Sequence, residues 1–194
     1  MKADEFNSFR LVGGTSLSLQ LGHRESVDID LFTDAAYDSI DFDLIDAFLR
    51  SNYEYVDTFK TTIVGMGKSY YVGESAKKCI KLDLFYTDTF IRPIFEIDNL
   101  RLASLEEIIA MKIDVVSRGG RKKDFWDIHE LFETYTIEQM LQLHEERYPY
   151  SHDRLDILTR FTQFESADAD FDPICLKGKY WEIIKLDILE AVQI

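Results

Sequence analysis

The residues best able to do chemistry lie in the alternation Val27-Asp28-Ile29-Asp30-Leu31-Phe32. In an extended strand, residues two apart share a face, so Asp28 and Asp30 project together while Val27, Ile29 and Leu31 line the other side. Adjacent ionised carboxylates repel and raise one another's pKa, a cost removed when a cation sits between them. A hard divalent ion suits oxygen donors on a rigid strand, and Mg²⁺ keeps several waters while drawing further oxygens from substrate phosphates. Upstream, Gly13-Gly14-Thr15-Ser16 follows the apolar pair Leu11-Val12 and leads into a helical segment carrying Leu17, Leu19 and Leu21. A Gly-Gly turn entering a helix lets backbone N–H groups approach a phosphate, and the helix N-terminus adds partial positive charge. Thr15 and Ser16 bring hydroxyl donors to the same place. The combination describes a site for a metal-bound polyphosphate.

Other candidates are open to two readings each. The run from Cys79 to Tyr86 sets Lys81, Asp83 and Phe85 on one strand face and Ile80, Leu82 and Leu84 on the other. Asp83 either faces water at a sheet edge or needs a partner for an enclosed charge. Lys112, between apolar turns of a helix, is either a surface lysine or a functional cation. Asp124 and Asp127, three apart, share a helix face. They either complement the helix dipole, pairing with Arg118, Arg121 or Lys123, or they line a site. Arg24 anchors the loop before the Asp pair or reaches a phosphate, His23 shares that ambiguity, and Ser26 is placed to orient a carboxylate. His129 and His144 fit helix core or surface positions, and no Cys/His spacing suggests zinc.

The elements that must position these groups can be read from periodicity. Strand patterns cover Leu11–Val12, Val27–Phe32, Tyr53–Phe59, Thr61–Val64, Tyr70–Val72, the run from Cys79 to Tyr86, and a pair between Phe95 and Leu102, with Gly65, Gly67 and Gly73 as turns. Helical patterns cover Ile40–Arg50, Leu105–Ser117 behind a Ser104/Glu107 capping box, and Lys122–Phe132 after Gly119-Gly120. Further helices are expected over Thr136–Arg147, Ser151–Phe164 and Gly178–Val192. The expected fold is α/β (α+β): a small, mixed, twisted sheet bearing the aspartates, covered by helices and followed by a helical C-terminal region. Residues 1–103 form the expected core and 104–194 the helical region.

Composition bounds the function. The 194 residues suffice for one ordinary domain, or one with a helical appendage, and 46% hydrophobic with 30% charged residues is a globular profile. No apolar run reaches the roughly 18 residues a bilayer span needs, and the N-terminus is polar, so the cytoplasm is the expected location. Cys79 and Cys175 match no metal spacing and read as two buried thiols. The formal net charge of −14 is opposite to the broad basic surface that grips long nucleic acid. A nucleoside triphosphate needs only a local positive pocket and a metal, and an RNA acceptor would be limited to a basic patch at Arg118–Lys123.

Gly13-Gly14-Thr15-Ser16 followed by Asp28-Ile29-Asp30 resembles the signature of the polymerase-beta-like nucleotidyltransferase superfamily. With the GGTSL, HRESVDIDLF and KKDFWDIHEL stretches together, the chain resembles the AbiEii/AbiGii-type toxin nucleotidyltransferases over Leu11–Leu131. The resemblance implies transfer of a nucleoside monophosphate from an NTP to a hydroxyl of RNA, tRNA or protein. It implies a metal set of Asp28, Asp30 and Asp83 holding two Mg²⁺ ions, or Mn²⁺, ~4 Å apart. It also implies a nucleotide set of Gly13, Gly14, Thr15, Ser16, Arg24 and Lys112, with Asp124 or Asp127 closing the site, and roles in phage defence beside a cognate antitoxin protein. A small-molecule nucleotidyltransferase of the antibiotic-modifying kind and a non-catalytic partner-binding module are the alternatives.

Overall fold

A computed structural model describes residues 1–59 and 65–192, so the strand expected over Thr61–Val64 lies outside the described residues. The chain divides into two compact units. The first comprises Met1–Ser16 and Ser26–Ala103, and the second Leu17–Glu25 and Ser104–Ile194. The segment Leu17–Glu25 thus clusters with the C-terminal helices, although it lies within the N-terminal half of the chain.

The first unit is built on a seven-stranded sheet of β1 (Arg10–Val12), β2 (Ile29–Thr33), β3 (Tyr55–Thr58), β4 (Gly67–Ser75), β5 (Lys78–Tyr86), β6 (Phe95–Ile97) and β7 (Leu100–Leu102). Its order is β3-β4-β5-β2-β1-β7-β6. The β2/β5 and β1/β7 pairs are parallel and the others antiparallel, so the sheet is mixed. Side-chain alternation separates two faces. Leu31, Tyr70, Val72, Leu82 and Leu84 are buried in one cluster with Phe42, Ile45 and Leu49 of helix α2 (Phe42–Asn52). Each fully buried leucine there stabilises by ~2 kcal/mol relative to exposure. Asp41 caps α2, its carboxylate accepting from the N–H groups of Asp43 and Leu44 at 3.0 Å each. Because α2 covers the apolar face, the face carrying Lys81, Asp83 and Phe85 is left to chemistry.

β2 starts two residues later than the hydrophobic alternation suggests. Val27 is exposed and Asp28 precedes the strand. The Thr15 hydroxyl donates to the Asp28 carbonyl, and the β2/β5 register begins at Ile29 opposite Leu82.

In the second unit, α3 (Leu105–Ser117) has the bounds its periodicity predicts, and it packs on α4 (Lys122–Leu131), α5 (Ile137–Arg147) and α6 (Arg154–Phe161). Ser104 caps α3 by accepting from the Glu107 N–H at 3.3 Å, and the Glu107 carboxylate is buried against Arg147 of α5. The expected Ser151–Phe164 helix is shorter because Asp153 caps it late, accepting from the Asp156 N–H at 3.0 Å. A short helix, α7 (Glu165–Asp168), follows, and the last helix, α8, runs over Trp181–Val192. Trp126 and Trp181 stack with ring centroids 6.4 Å apart beside Phe125 and Phe164. His144 is buried with its Nδ1 2.9 Å from that of His152. Burial, and then the charge of Arg118, push the His144 imidazole down to about 4, so it is neutral at pH 7. Both cysteines are free and only half-buried, which corrects the expectation of two enclosed thiols.

Candidate active site

In the first unit, the short strand β1 ends directly in helix α1 (Gly13–Leu21), whose first four residues belong to this unit. Gly13 is itself the first helical residue rather than part of a separate turn. Its φ of +67° is strained for any L side chain, and a Cβ there would stand 2.5 Å from Asp30 Oδ2. Two reasons therefore require glycine here, and the second is the close approach of the carboxylate. Thr15 gives its one hydroxyl proton to the Asp28 carbonyl, and its oxygen lies 2.9 Å from Ser26 Oγ, from which it accepts. Its hydroxyl is thus committed to fixing the approach to β2, and Ser26 meets Thr15 as the donor. Ser16 is fully buried.

Asp30 and Asp83 are register partners on the neighbouring parallel strands β2 and β5. Strands lie roughly 4.8 Å apart and partnered residues share a face, so the two carboxylates stand side by side. Val12, immediately before the glycines, is the partner of Asp30 on β1. Lys81 lies two residues before Asp83 on the same face, and its Nζ is 2.5 Å from Asp83 Oδ2. The hydrogen bond to Asp83 raises the lysine pKa against partial burial, and the charges of Asp83, Asp30 and Asp28 add to the effect. One ammonium thus feels all three acids. Asp83 is 15% exposed in its side chain, and its Oδ1 is buried with no hydrogen-bond partner among the described residues. Such an oxygen is costly to bury without a donor or cation. No group of three or more His, Cys, Asp or Glu side chains among the described residues is arranged to hold a metal.

The remaining candidates lie in the second unit, gathered on Asp127. This carboxylate is fully buried. It accepts from Arg24 Nε at 2.6 Å and Arg24 Nη2 at 2.8 Å, lies 2.8 Å from His23 Nε2, and pairs with Lys112 Nζ at 2.6 Å. Lys112 also bonds Asp124 Oδ1 at 2.7 Å, while the other Asp124 oxygen accepts from the Arg121 N–H at 3.0 Å. Burial alone would raise the Asp127 pKa. The Lys112 ammonium and the hydrogen bonds from His23 and Arg24 outweigh it and hold the group far below the usual carboxylate range. Lys112 is likewise held charged against burial by the two aspartates.

The two acids therefore share Lys112 of α3, and Asp124 also holds the Arg121 backbone. The lysine expected at a phosphate is enclosed and paired twice. The basic run is also divided: Arg118 pairs with Asp114 of its own helix. Lys122 is buried, donating to the Asp170 carbonyl at 2.6 Å and to Asp172 at 2.9 Å. The sequence signal for Lys81 is its spacing of two from Asp83, which places both on one face. Nothing local in the sequence marks His23 as a partner of Asp127, 104 positions away.

A family model described as nucleotidyl transferase AbiEii toxin, Type IV TA system, matches residues 1–191. The chain belongs to the AbiEii nucleotidyltransferase toxin family. Among curated relatives of this family member is an uncharacterised protein, aq_aa25, from Aquifex aeolicus, 27% identical over 195 residues, covering 92% of this chain and 84% of the relative. Among solved structures, JHP933 from Helicobacter pylori has a TM-score of 0.60 at 19% identity, over 97% of this chain and 84% of that one. MenT4, the nucleotidyltransferase toxin Rv2826c from Mycobacterium tuberculosis H37Rv, has a TM-score of 0.57 at 16% identity, over 96% and 76%. Both likenesses are of fold. AbiEii membership makes the chain an enzyme of the nucleotidyltransferase class. No helix among its described residues is long and apolar enough to cross a membrane.

Proposed function

We propose that the protein transfers a nucleoside monophosphate from an NTP to an acceptor hydroxyl with Mg²⁺ at the sheet face bearing Asp30 and Asp83, Asp28 standing just ahead of β2. The observation that carries this reading is the register pairing of Asp30 with Asp83, beside a buried, unpartnered Asp83 oxygen. Hard carboxylate oxygens sharing one face, with one of them lacking a donor, fit a divalent cation whose remaining ligands are water and phosphate. Such an ion, when bound, supplies electrophilic stabilisation of the phosphates and lowers the pKa of a coordinated hydroxyl.

The chain's own groups do the rest. The acceptor oxygen forms a bond to the α-phosphorus as the α–β anhydride bond breaks, pyrophosphate departs, and the acceptor proton passes to Asp83. The backbone N–H groups at Gly13, Gly14 and Thr15 begin α1 beside Asp30 and cradle the phosphates. Lys81 offsets repulsion among the three acids. We assign Arg24, Lys112, Asp124 and Asp127 a positioning role. Asp127, held by Lys112 and through it by Asp124, locks His23 and Arg24, which lie just ahead of Ser26 and Asp28 in the chain. An ammonium already bonded to two carboxylates is better suited to holding this segment than to receiving a phosphate.

In the cell the reading is that of a toxin acting in the cytoplasm, restrained by a cognate antitoxin and deployed in phage defence. Its family supports the toxin role. Induced expression should arrest growth, Asp30→Ala should abolish the arrest, and the exposed Glu190→Ala should leave it intact. Equal toxicity of all three proteins would remove the enzymatic basis of the effect.

A further inference from the structure

On the footing that nucleotidyl transfer takes place at Asp30 and Asp83, we propose that an aromatic groove on the same sheet face is the subsite for an unpaired nucleobase of a single-stranded nucleic-acid acceptor. The groove has a volume of ≈ 660 Å³, and Phe59, Tyr71, Phe85, Gly67, Ser69 and Asp57 are among its lining residues. Its place follows from strand register. Tyr71 is half-exposed between the buried Tyr70 and Val72, and Phe85 lies between the buried Leu84 and Tyr86. Both therefore point to the face that carries Lys81 and Asp83. Ser69 is the β4 partner of Asp83, Tyr71 that of Lys81, and Gly67 that of Phe85. Gly67 lies close against Phe85 and leaves its ring partly exposed: a Cβ there would stand 2.6 Å from that ring and 2.2 Å from the Leu84 carbonyl oxygen. Phe85 is braced from the other side by Phe32, with ring centroids 6.1 Å apart at 69°. Phe59 is almost wholly exposed. Two uncovered rings and one braced ring form a stacking platform on which any planar base can lie.

Sheet order identifies the occupant as the acceptor. Across the strands the sequence is β3, β4, β5, β2, β1. The groove is carried by the first three, the carboxylates by β5 and β2, and the glycines that start α1 follow β1. In-line displacement requires the entering hydroxyl and the departing pyrophosphate to lie on opposite sides of the α-phosphorus. With pyrophosphate on the glycine side, the acceptor enters from the β4 side, over Ser69 and Tyr71. A chain of net charge −14 gains little from phosphate neutralisation, so stacking supplies the affinity and its salt dependence is shallow.

The test uses the full chain, a fluorescein-labelled single-stranded RNA decamer read by anisotropy, and Mg²⁺ with each of the four ribonucleoside triphosphates read by calorimetry. Tyr71→Ala and Phe59→Ala should each weaken RNA binding about tenfold with triphosphate affinity unchanged, and Tyr71→Trp should restore it. Unchanged RNA affinity in both alanine variants overturns the subsite. So does a wild type that binds triphosphate but no RNA. Selective loss of triphosphate affinity in Tyr71→Ala also overturns it, since the ring then stacks the donor nucleotide. A wild type that binds no triphosphate at all defeats the transfer reading itself, and the acceptor subsite with it.

Discussion

Asp30→Asn is expected to lower nucleotide incorporation by at least about a thousandfold while leaving the protein folded. The magnitude follows from the charge that a triphosphate and its metal bring to the site. Preorganised groups facing the reacting phosphorus contribute on the order of 10²–10³ in rate each, and removing a metal-binding carboxylate also weakens the ion. Asp30 is the pivot because it partners Val12 on one side and Asp83 on the other, and because Gly13 has given up a side chain to approach it. Asp83→Asn is expected to match it in rate, since the amide keeps the shape but neither binds a cation as strongly nor takes the acceptor proton. Turnover by pyrophosphate release, with circular dichroism and the urea midpoint as controls on folding, separates lost chemistry from lost structure. Near-normal turnover in both variants would show that the reacting groups lie elsewhere.

The second large effect is on stability. Asp127→Ala should destabilise the protein by about 3–5 kcal/mol, because it leaves Arg24 buried without its carboxylate and strips Lys112 of one of two partners. Asp124→Ala should cost less, as Lys112 keeps Asp127. The pH dependence has a definite sign. A carboxylate whose folded pKa is depressed contributes stability above the unfolded value of about 4, and that contribution is lost as pH falls through the depressed folded value. The gap between wild type and Asp127→Ala, measured by urea unfolding, should therefore be constant from pH 7 to about 5 and narrow only below the ordinary carboxylate range. A gap that closes between pH 7 and 5 would mean that another group carries the linkage.

The reach of sequence reasoning here followed the range of the interactions. α3 was legible to its end residues because one apolar stripe and one capping serine define it locally. Asp83 was legible as a strand residue because alternation across Lys81, Asp83 and Phe85 is a property of eight consecutive positions. The pairing of Asp30 with Asp83 spans 53 residues, and only the sheet register brings them together. The Asp127 cluster was less legible still. Its acids were readable as a helix face, but their partners Lys112, Arg24 and His23 come from other elements, and packing decides which cation a buried acid meets. The charge of the basic run is less legible for a related reason. Lys122 in the basic run is enclosed with Asp170 and Asp172, a pairing across about fifty residues that no local pattern signals. The late start of β2 within the Val27–Phe32 alternation was likewise invisible, because a threonine hydroxyl eleven residues upstream meets Ser26 and fixes where the strand begins.

The most direct measurement follows the fate of the label when the purified protein is incubated with Mg²⁺, total cellular RNA and protein, and NTPs labelled at the α- or the γ-phosphate. The α-label should enter a macromolecular acceptor and the γ-label should leave as pyrophosphate, both dependent on Asp30 and Asp83. Entry of the γ-label into acceptor, or α-label incorporation undiminished in Asp30→Asn, would contradict nucleotidyl transfer at the paired carboxylates.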